Sequence, residues 1–301
     1  MPNPVIETES LTVYYGRQRG IIDVDLRVEP GEVFGFLGPN GAGKTTTERV
    51  LLDIIRPTSG AARIFGLDCQ QEGVAIRRRV GYLPGELSFF DTMHVSRFFD
   101  LYATLYGDGG DTTWRSYAER LDLDTSRKIR QLSRGNKQKV GLVTAFMTRP
   151  DLLILDEPTT GLDPLVQQTV MDLVREANEA GATVFFSSHI LPEVQAVCDR
   201  VGIIRDGHLV ATERVDTLIK QSFRRVRFRF ASPPPPEAFA RDGVTELDRD
   251  DGQLTLEIRE NMGEIMNTAA GYGILDIETI PVSLDEIFLA YYGHHRVEQH
   301  V

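Results

Sequence analysis

Gly38-Pro39-Asn40-Gly41-Ala42-Gly43-Lys44-Thr45 follows the apolar run Val33-Phe34-Gly35-Phe36-Leu37 and opens a helical pattern from about Lys44 to Ile55. Gly, four residues, then Gly-Lys-Thr, set between a strand and a helix, is the pattern of a loop that cradles phosphate groups. Glycine lets successive backbone N–H groups converge on anionic oxygens with no Cβ in the way. The helix behind the loop adds the positive end of its dipole. Lys44 is placed to reach the β- and γ-phosphates and to take part in catalysis, and the Thr45 hydroxyl suits Mg2+. Gly38, Asn40, Gly41, Ala42, Gly43, Lys44, Thr45 and Thr46 are the expected phosphate-loop contacts. The run before them reads as a strand buried on both faces, which points to an α/β fold.

A second apolar run, Leu152-Leu153-Ile154-Leu155, ends in Asp156-Glu157-Pro158. Ligands of open α/β sheets collect at the carboxyl ends of strands. Asp156 is the expected holder of Mg2+, and Glu157, one residue on, the group that polarises an attacking water. Strand–helix alternation continues through Val184–Phe186 and Val201–Ile204, with Asp206-Gly207 turning the chain toward Leu209–Ala211. Between about 86 and 150, Phe89, Phe90, Phe98, Phe99, Leu101, Tyr102, Leu105 and Tyr106 recur at mostly helical spacings. That stretch reads as a helical subdomain, interrupted by a loop at Gly107 to Gly110.

The chain has 301 residues, enough for about two domains at ~150 residues each. Lys and Arg number 33 against 44 Asp and Glu, so the net charge is −11. An acidic chain lacks the positive field of a general nucleic-acid binder, and no nucleic-acid partner is expected. No apolar run approaches the ~18 residues a membrane-spanning helix needs. The start, MPNPVIETES, lacks the basic and apolar regions of a signal peptide, so neither a span nor secretion by that route is expected. Cys69 and Cys198 are too few for a disulfide framework, which fits a reducing compartment.

Leu132-Ser133-Arg134-Gly135-Asn136-Lys137-Gln138 is a polar turn leading into an apolar helix, with Ser133 as a natural N-cap. With this segment in place, the sequence resembles the ATP-binding subunits of ABC transporters over roughly residues 5 to 220. That family carries a Leu-Ser-Gly-Gly-Gln signature at this interval before the acidic strand. The resemblance implies that Ser133 and Gly135 contact the γ-phosphate of ATP bound to a second subunit. It makes Tyr15 the aromatic residue stacking on adenine, although a strand aromatic in the core explains Tyr15 as well. It makes Asp163, in Gly161-Leu162-Asp163, part of a loop coupling two ATP sites, and His189 the catalytic switch that hydrogen-bonds the γ-phosphate. ATP and Mg2+ are the implied cofactors. The expected fold is an α/β P-loop NTPase of the ABC cassette type, with a mixed-sheet core and a helical subdomain.

Three features depart from the pattern or extend it. Arg134 stands where Gly is common, and Asn136 where Gln is common. In Val80-Gly81-Tyr82-Leu83-Pro84-Gly85-Glu86 the family's metal-ligating Gln is replaced by Gly85; either Glu86 supplies the oxygen ligand or water does. Residues 221–293 read as a small α+β appendage and 294–301 as a polar tail, leaving 1–220 as the cassette. In Phe223 to Phe230, Arg225, Arg227 and Arg229 alternate with Val226, Phe228 and Phe230. The arginine face is either simply solvated or a contact for an acidic surface.

The resemblance implies an ATPase that works with a separate transmembrane permease and with a second copy of itself or a related ATPase, peripheral on the cytoplasmic face of the membrane. The helical subdomain would offer the permease a groove. Gly161-Leu162-Asp163-Pro164 and Val282-Ser283-Leu284-Asp285-Glu286-Ile287-Phe288-Leu289 look like subunits of ABC-2 exporters, which favours export. The alternative is a soluble ABC-type ATPase acting on a ribosome or nucleic acid.

Overall fold

The computed structural model describes residues 3–106, 113–221, 223–250 and 252–280. The chain forms two compact units, Met1–Val215 and Asp216–Val301. The first begins with β1 (Ile6–Tyr15), β2 (Gln18–Val24), β3 (Arg27–Val28), β4 (Val33–Leu37) and α1 (Lys44–Leu51). It continues through β5 (Ser59–Ile64), β6 (Leu67–Asp68), α2 (Gly73–Arg77) and β7 (Val80–Leu83). Three helices follow: α3 (Val95–Leu105), α4 (Thr113–Arg120) and α5 (Arg134–Phe146). Then come β8 (Leu152–Asp156), α6 (Pro164–Glu179), β9 (Thr183–Ser188), α7 (Leu191–Val197), β10 (Arg200–Arg205) and β11 (His208–Arg214).

The central sheet runs β11-β10-β4-β9-β8-β7. Its pairings are parallel except for the β10–β11 hairpin. Every residue of β4, β8 and β9 is buried, which explains why those strands read as unbroken apolar runs. Phe185 of β9 lies 6.0 Å from Phe34 and 5.2 Å from Phe36 of β4, centroid to centroid, locking the two strands face to face. A second, antiparallel sheet runs β2-β1-β5-β6, with β3 also on β1, and shares its core with the first.

Helix α1 is shorter than expected. Asp53 takes a left-handed backbone (φ 54°), so the helix closes at Leu51, well before Pro57. In the helical region Phe98 and Phe99 are core residues, Phe89 packs edge-on against Phe98 at 5.4 Å, and Phe90 is exposed. Arg120 of α4 grips Glu176 of α6 with two hydrogen bonds of 2.6 Å each, tying the helical region to the sheet layer.

Helix α8 (Val215–Gln221) leads into the second unit: β12 (Arg224–Phe230), β13 (Val244–Asp250), β14 (Gln253–Ile258), α9 (Met262–Ala270) and β15 (Ile274–Ile280). The sheet is antiparallel in the order β13-β14-β12-β15. Val226, Phe228 and Phe230 enter its core with Leu254, Leu256 and Ile265. The opposite face carries a charge ladder: Arg227 meets Glu278 at 3.0 Å, Arg229 meets Asp276 at 3.6 Å, and Arg225 meets Glu257 at 3.9 Å. Each of these arginines thus faces a cross-strand acid of the same sheet. The motif from Val282, the helix expected at 284–292 and the polar tail lie outside the described residues.

Candidate active site

Three neighbouring strands, β4, β9 and β8, end at one cavity of about 440 Å3. The loop after β4 delivers Asn40, Gly41, Gly43, Lys44, Thr45 and Thr46 to its lining. Gly43 has φ 117°, and a Cβ there would stand 2.5 Å from Ile21 Cγ2, so the loop's curvature needs glycine at that point. The end of β8 supplies Asp156 and Glu157, and the turn after β9 supplies His189. Tyr15, at the end of β1, lines the same cavity half-exposed, its hydroxyl 3.3 Å from Thr46 Oγ1. It is therefore a rim residue and not a core aromatic.

Thr45 Oγ1 donates to Asp156 Oδ2 at 2.6 Å, and Ser187 Oγ donates to Asp156 Oδ1 at 2.8 Å. The Thr45–Asp156 pair offers two hard oxygens side by side at the cavity wall, the donor chemistry Mg2+ prefers. Gly85 lies directly against this pair: a Cβ added to it would sit 2.8 Å from Asp156 Oδ2. Glu86 is at the rim, but its side chain is 93% exposed and faces Arg49 Nη2 at 3.8 Å. The oxygens the structure brings together are those of Thr45 and Asp156, without Glu86.

Glu157 has a left-handed backbone (φ 49°), uncommon for a residue with a long side chain. That turn aims its carboxylate at two cations or donors: Lys44 Nζ at 3.2 Å and His189 Nδ1 at 2.7 Å. Burial by itself pushes the carboxyl up. The hydrogen bond from His189 and the charge of Lys44 outweigh it and hold Glu157 below the usual carboxylate range. An ionised carboxylate only accepts, so His189 carries a proton on Nδ1. Lys44 Nζ also donates to Gly38 O at 2.6 Å.

Ser188 and Glu193 brace the histidine turn. Ser188 Oγ donates to Glu193 Oε2 at 2.6 Å and accepts from Ile190 N at 2.9 Å. Thr159, in the loop after Glu157, donates to the other Glu193 oxygen, so the turns after β8 and β9 are fastened together. Gln138, on the first turns of α5, donates to Glu157 O and Pro158 O, both at 3.2 Å.

Ser133, Gly135 and Asp163 do not line this cavity. Ser133 Oγ caps α5 by accepting from Asn136 N at 3.3 Å. Asp163 caps α6, accepting from Leu165 N and Val166 N at 3.1 Å each. Gly38 and Ala42 shape the loop from behind its lining; Ala42 is buried. Glu48 was not expected. It projects from α1 beneath the loop, fully buried at 0% exposure, and neither carboxyl oxygen has a hydrogen-bond partner among the described residues. Burial first, and the nearby Asp156 charge second, push its carboxyl well above the usual range.

A strand–loop–helix turn carrying Lys44 and Thr45, with Asp156, Glu157 and His189 brought to the same cavity from the ends of β8 and β9, is an arrangement of the α/β nucleoside triphosphatase class. The chain belongs to the ABC transporter family and is an ATP-binding subunit of that family, an ATPase. The ABC transporter family description matches residues 21–160, and a DrrA1-3-like ATP-binding protein C-terminal domain matches residues 217–292. The chain is 33% identical to the daunorubicin/doxorubicin resistance ATP-binding protein DrrA of Streptomyces peucetius, over 97% of this chain and 94% of that one. It is 30% identical to the bacitracin transport ATP-binding protein BcrA of Enterococcus faecalis, over 94% and 87%. Among solved structures it is similar to an ATP binding subunit of an ABC transporter, with TM-score 0.66 and 30% identity over 72% of this chain and 92% of that one. The dimeric cassette MJ0796 shares the fold, with TM-score 0.65 and 23% identity.

Proposed function

We propose that this chain powers an exporter: two copies, or one copy and a related subunit, close on ATP and drive a separate transmembrane permease from the cytoplasmic face of the membrane. The convergence of Lys44, Thr45, Asp156, Glu157 and His189 at three adjacent strand ends is the observation that carries this reading. The similarity to DrrA and BcrA, whose names record drug resistance and bacitracin transport, supports export. Among the described residues no helix is long and apolar enough to cross a membrane, so the transport path belongs to a partner in this reading. Exposed Phe90, Leu101 and Leu105 on the helical region give such a partner apolar surface to meet.

In the proposed mechanism Tyr15 stacks on the adenine and the residues 38–46 wrap the phosphates. Thr45 and Asp156 would hold Mg2+, which would supply charge neutralisation at the phosphates. Glu157, kept ionised by its neighbours, accepts a proton from the attacking water, and His189 donates to the terminal phosphoryl group. Ser133 and Gly135 face the nucleotide of the partner copy, and the helix end they open offers free backbone N–H groups to it. Asp163 sits where the two sites communicate. Because ATP contacts both subunits only when they are closed, it shifts the pair toward closure, and loss of the γ-phosphate releases it.

The test is phosphate release by the purified chain with Mg2+ and ATP, combined with isolation of the membrane protein that copurifies with it. ATP-dependent phosphate release and a copurifying polytopic protein are expected. A chain that releases no phosphate, or that copurifies with ribosomes instead, overturns the proposal.

A further inference from the structure

Glu157 accepts from a third donor besides Lys44 and His189. Thr160 Oγ1 lies 3.2 Å from Glu157 Oε2, the oxygen that also accepts from His189 Nδ1 at 2.7 Å. Glu157 Oε1 faces Lys44 Nζ at 3.2 Å. The two carboxylate oxygens thus keep different company: Oε2 meets a hydroxyl and an imidazole, Oε1 the lysine of the phosphate loop.

Thr160 lines the cavity on a loop with fixed points on each side of it. Its own N–H donates to Glu157 O at 3.1 Å, closing a tight turn over residues 157–160. Gln138 holds the carbonyls of Glu157 and Pro158, and Gln167 Nε2 donates to Leu162 O at 3.1 Å. Thr159 is buried and bonded to Glu193. A β-branched side chain has few rotamers to choose from, so the turn fixes the Thr160 hydroxyl as well as its backbone. Lys44 differs: its ammonium sits on a flexible four-carbon stem, and bound phosphate oxygens would compete with Glu157 for it.

We infer that Thr160 is a positioning residue for Glu157: together with His189 it anchors Oε2, so that Oε1 is the oxygen that takes the proton of the attacking water. This rests on the reading of Glu157 as the base given above. When nucleotide draws Lys44 to its phosphates, Oε1 is released, while the Thr160 bond, made inside a single turn, stays. One proton then passes from water to Oε1. The water oxygen bonds to the terminal phosphorus, and the bond from that phosphorus to the bridging oxygen breaks, its electron pair leaving on ADP. Thr160 is bonded to Glu157, so it acts on turnover and not on nucleotide affinity.

The test is steady-state ATP hydrolysis by the full chain with Mg2+, alongside ADP affinity from titration calorimetry. Thr160→Val keeps the shape of the side chain and removes the donor. It is expected to lower kcat roughly 10- to 100-fold, the worth of a hydrogen bond to a charged group, with KM and ADP affinity near the wild-type values. Thr160→Ser keeps the hydroxyl and is expected to retain most of the activity. A wild-type kcat in Thr160→Val, a Thr160→Ser as slow as Thr160→Val, or a loss of ADP affinity matching the loss of kcat overturns the inference. Glu157→Gln separates the two levels. If it turns over ATP like the wild type, Glu157 is not the base and both readings fall. If Glu157→Gln is slow and Thr160→Val is not, only the role of Thr160 falls.

Discussion

His189 Nδ1 lies 2.7 Å from Glu157 Oε2, joining the turn after β9 to the end of β8 across neighbouring parallel strands. The bond holds the imidazole at the wall of the cavity that both residues line. Glu157→Gln keeps the shape of the carboxyl group and removes its basicity. ATP binding is expected to persist, with hydrolysis slowed roughly 100- to 10,000-fold. Near-normal phosphate release by this variant would rule Glu157 out as the base. His189→Ala is expected to slow hydrolysis while leaving ADP affinity near the wild-type value.

The contact between Gly85 and Asp156 leaves no room for a side chain. Gly85→Ala places a Cβ 2.8 Å from Asp156 Oδ2, and the displacement is expected to cost ~1–3 kcal/mol. Mg2+-dependent nucleotide binding should weaken roughly 5- to 100-fold. Glu86→Ala, which removes a carboxylate facing Arg49, is expected to leave the Mg2+ dependence unchanged. Isothermal titration of both variants with Mg2+ and ADP checks the pair, and the opposite ranking would return Glu86 to the metal site.

Glu48 sits buried and unpartnered beneath the loop. Its folded-state pKa is raised above that of the unfolded chain. Its contribution to stability is therefore fully present below the unfolded-state pKa, near the usual carboxylate value, and is lost as pH rises toward the folded value. Glu48→Leu removes this loss and fills the same volume with apolar atoms. Thermal unfolding should occur at higher temperature in the variant than in the wild type, with a larger gap at pH 8 than at pH 5. An equal gap at both pH values would mean that Glu48 titrates normally.

Asp163 accepts two backbone N–H groups at the start of α6. Asp163→Ala is expected to cost about 1 kcal/mol and Asp163→Ser to restore most of it. For a unit of this size that is about 2–4 °C in melting temperature. If Asp163→Ser restores stability while ATP hydrolysis stays impaired, the side chain does more than cap its helix.

Much of the active site was legible because parallel strands announce themselves locally. Val33–Leu37 and Leu152–Leu155 are apolar throughout, and the polar residues that follow each mark where a strand end meets the cavity. Relations across the chain were less legible. Gln138 matters through the backbone carbonyls of Glu157 and Pro158, which no side-chain pattern marks. The partners of Arg227 and Arg229 come from a strand fifty residues on, so an unpaired basic face and a paired one look alike from β12 alone. The polar strand β13, Val-Thr-Glu-Leu-Asp-Arg-Asp, has too little alternation to stand out, because it is an edge strand with most of its side chains in solvent.

Strand β4 has a hydrogen-bonded neighbour on each side and no exposed residue. Amide hydrogens there exchange with solvent only when the central sheet opens as a whole, while peripheral helices and the β13 edge exchange through local fraying. The phosphate loop is thus moored to the slowest-opening part of the molecule. Mild denaturant should loosen the outer elements well before it disturbs the loop, so nucleotide affinity and the mechanical link to a partner are expected to fail at different denaturant concentrations.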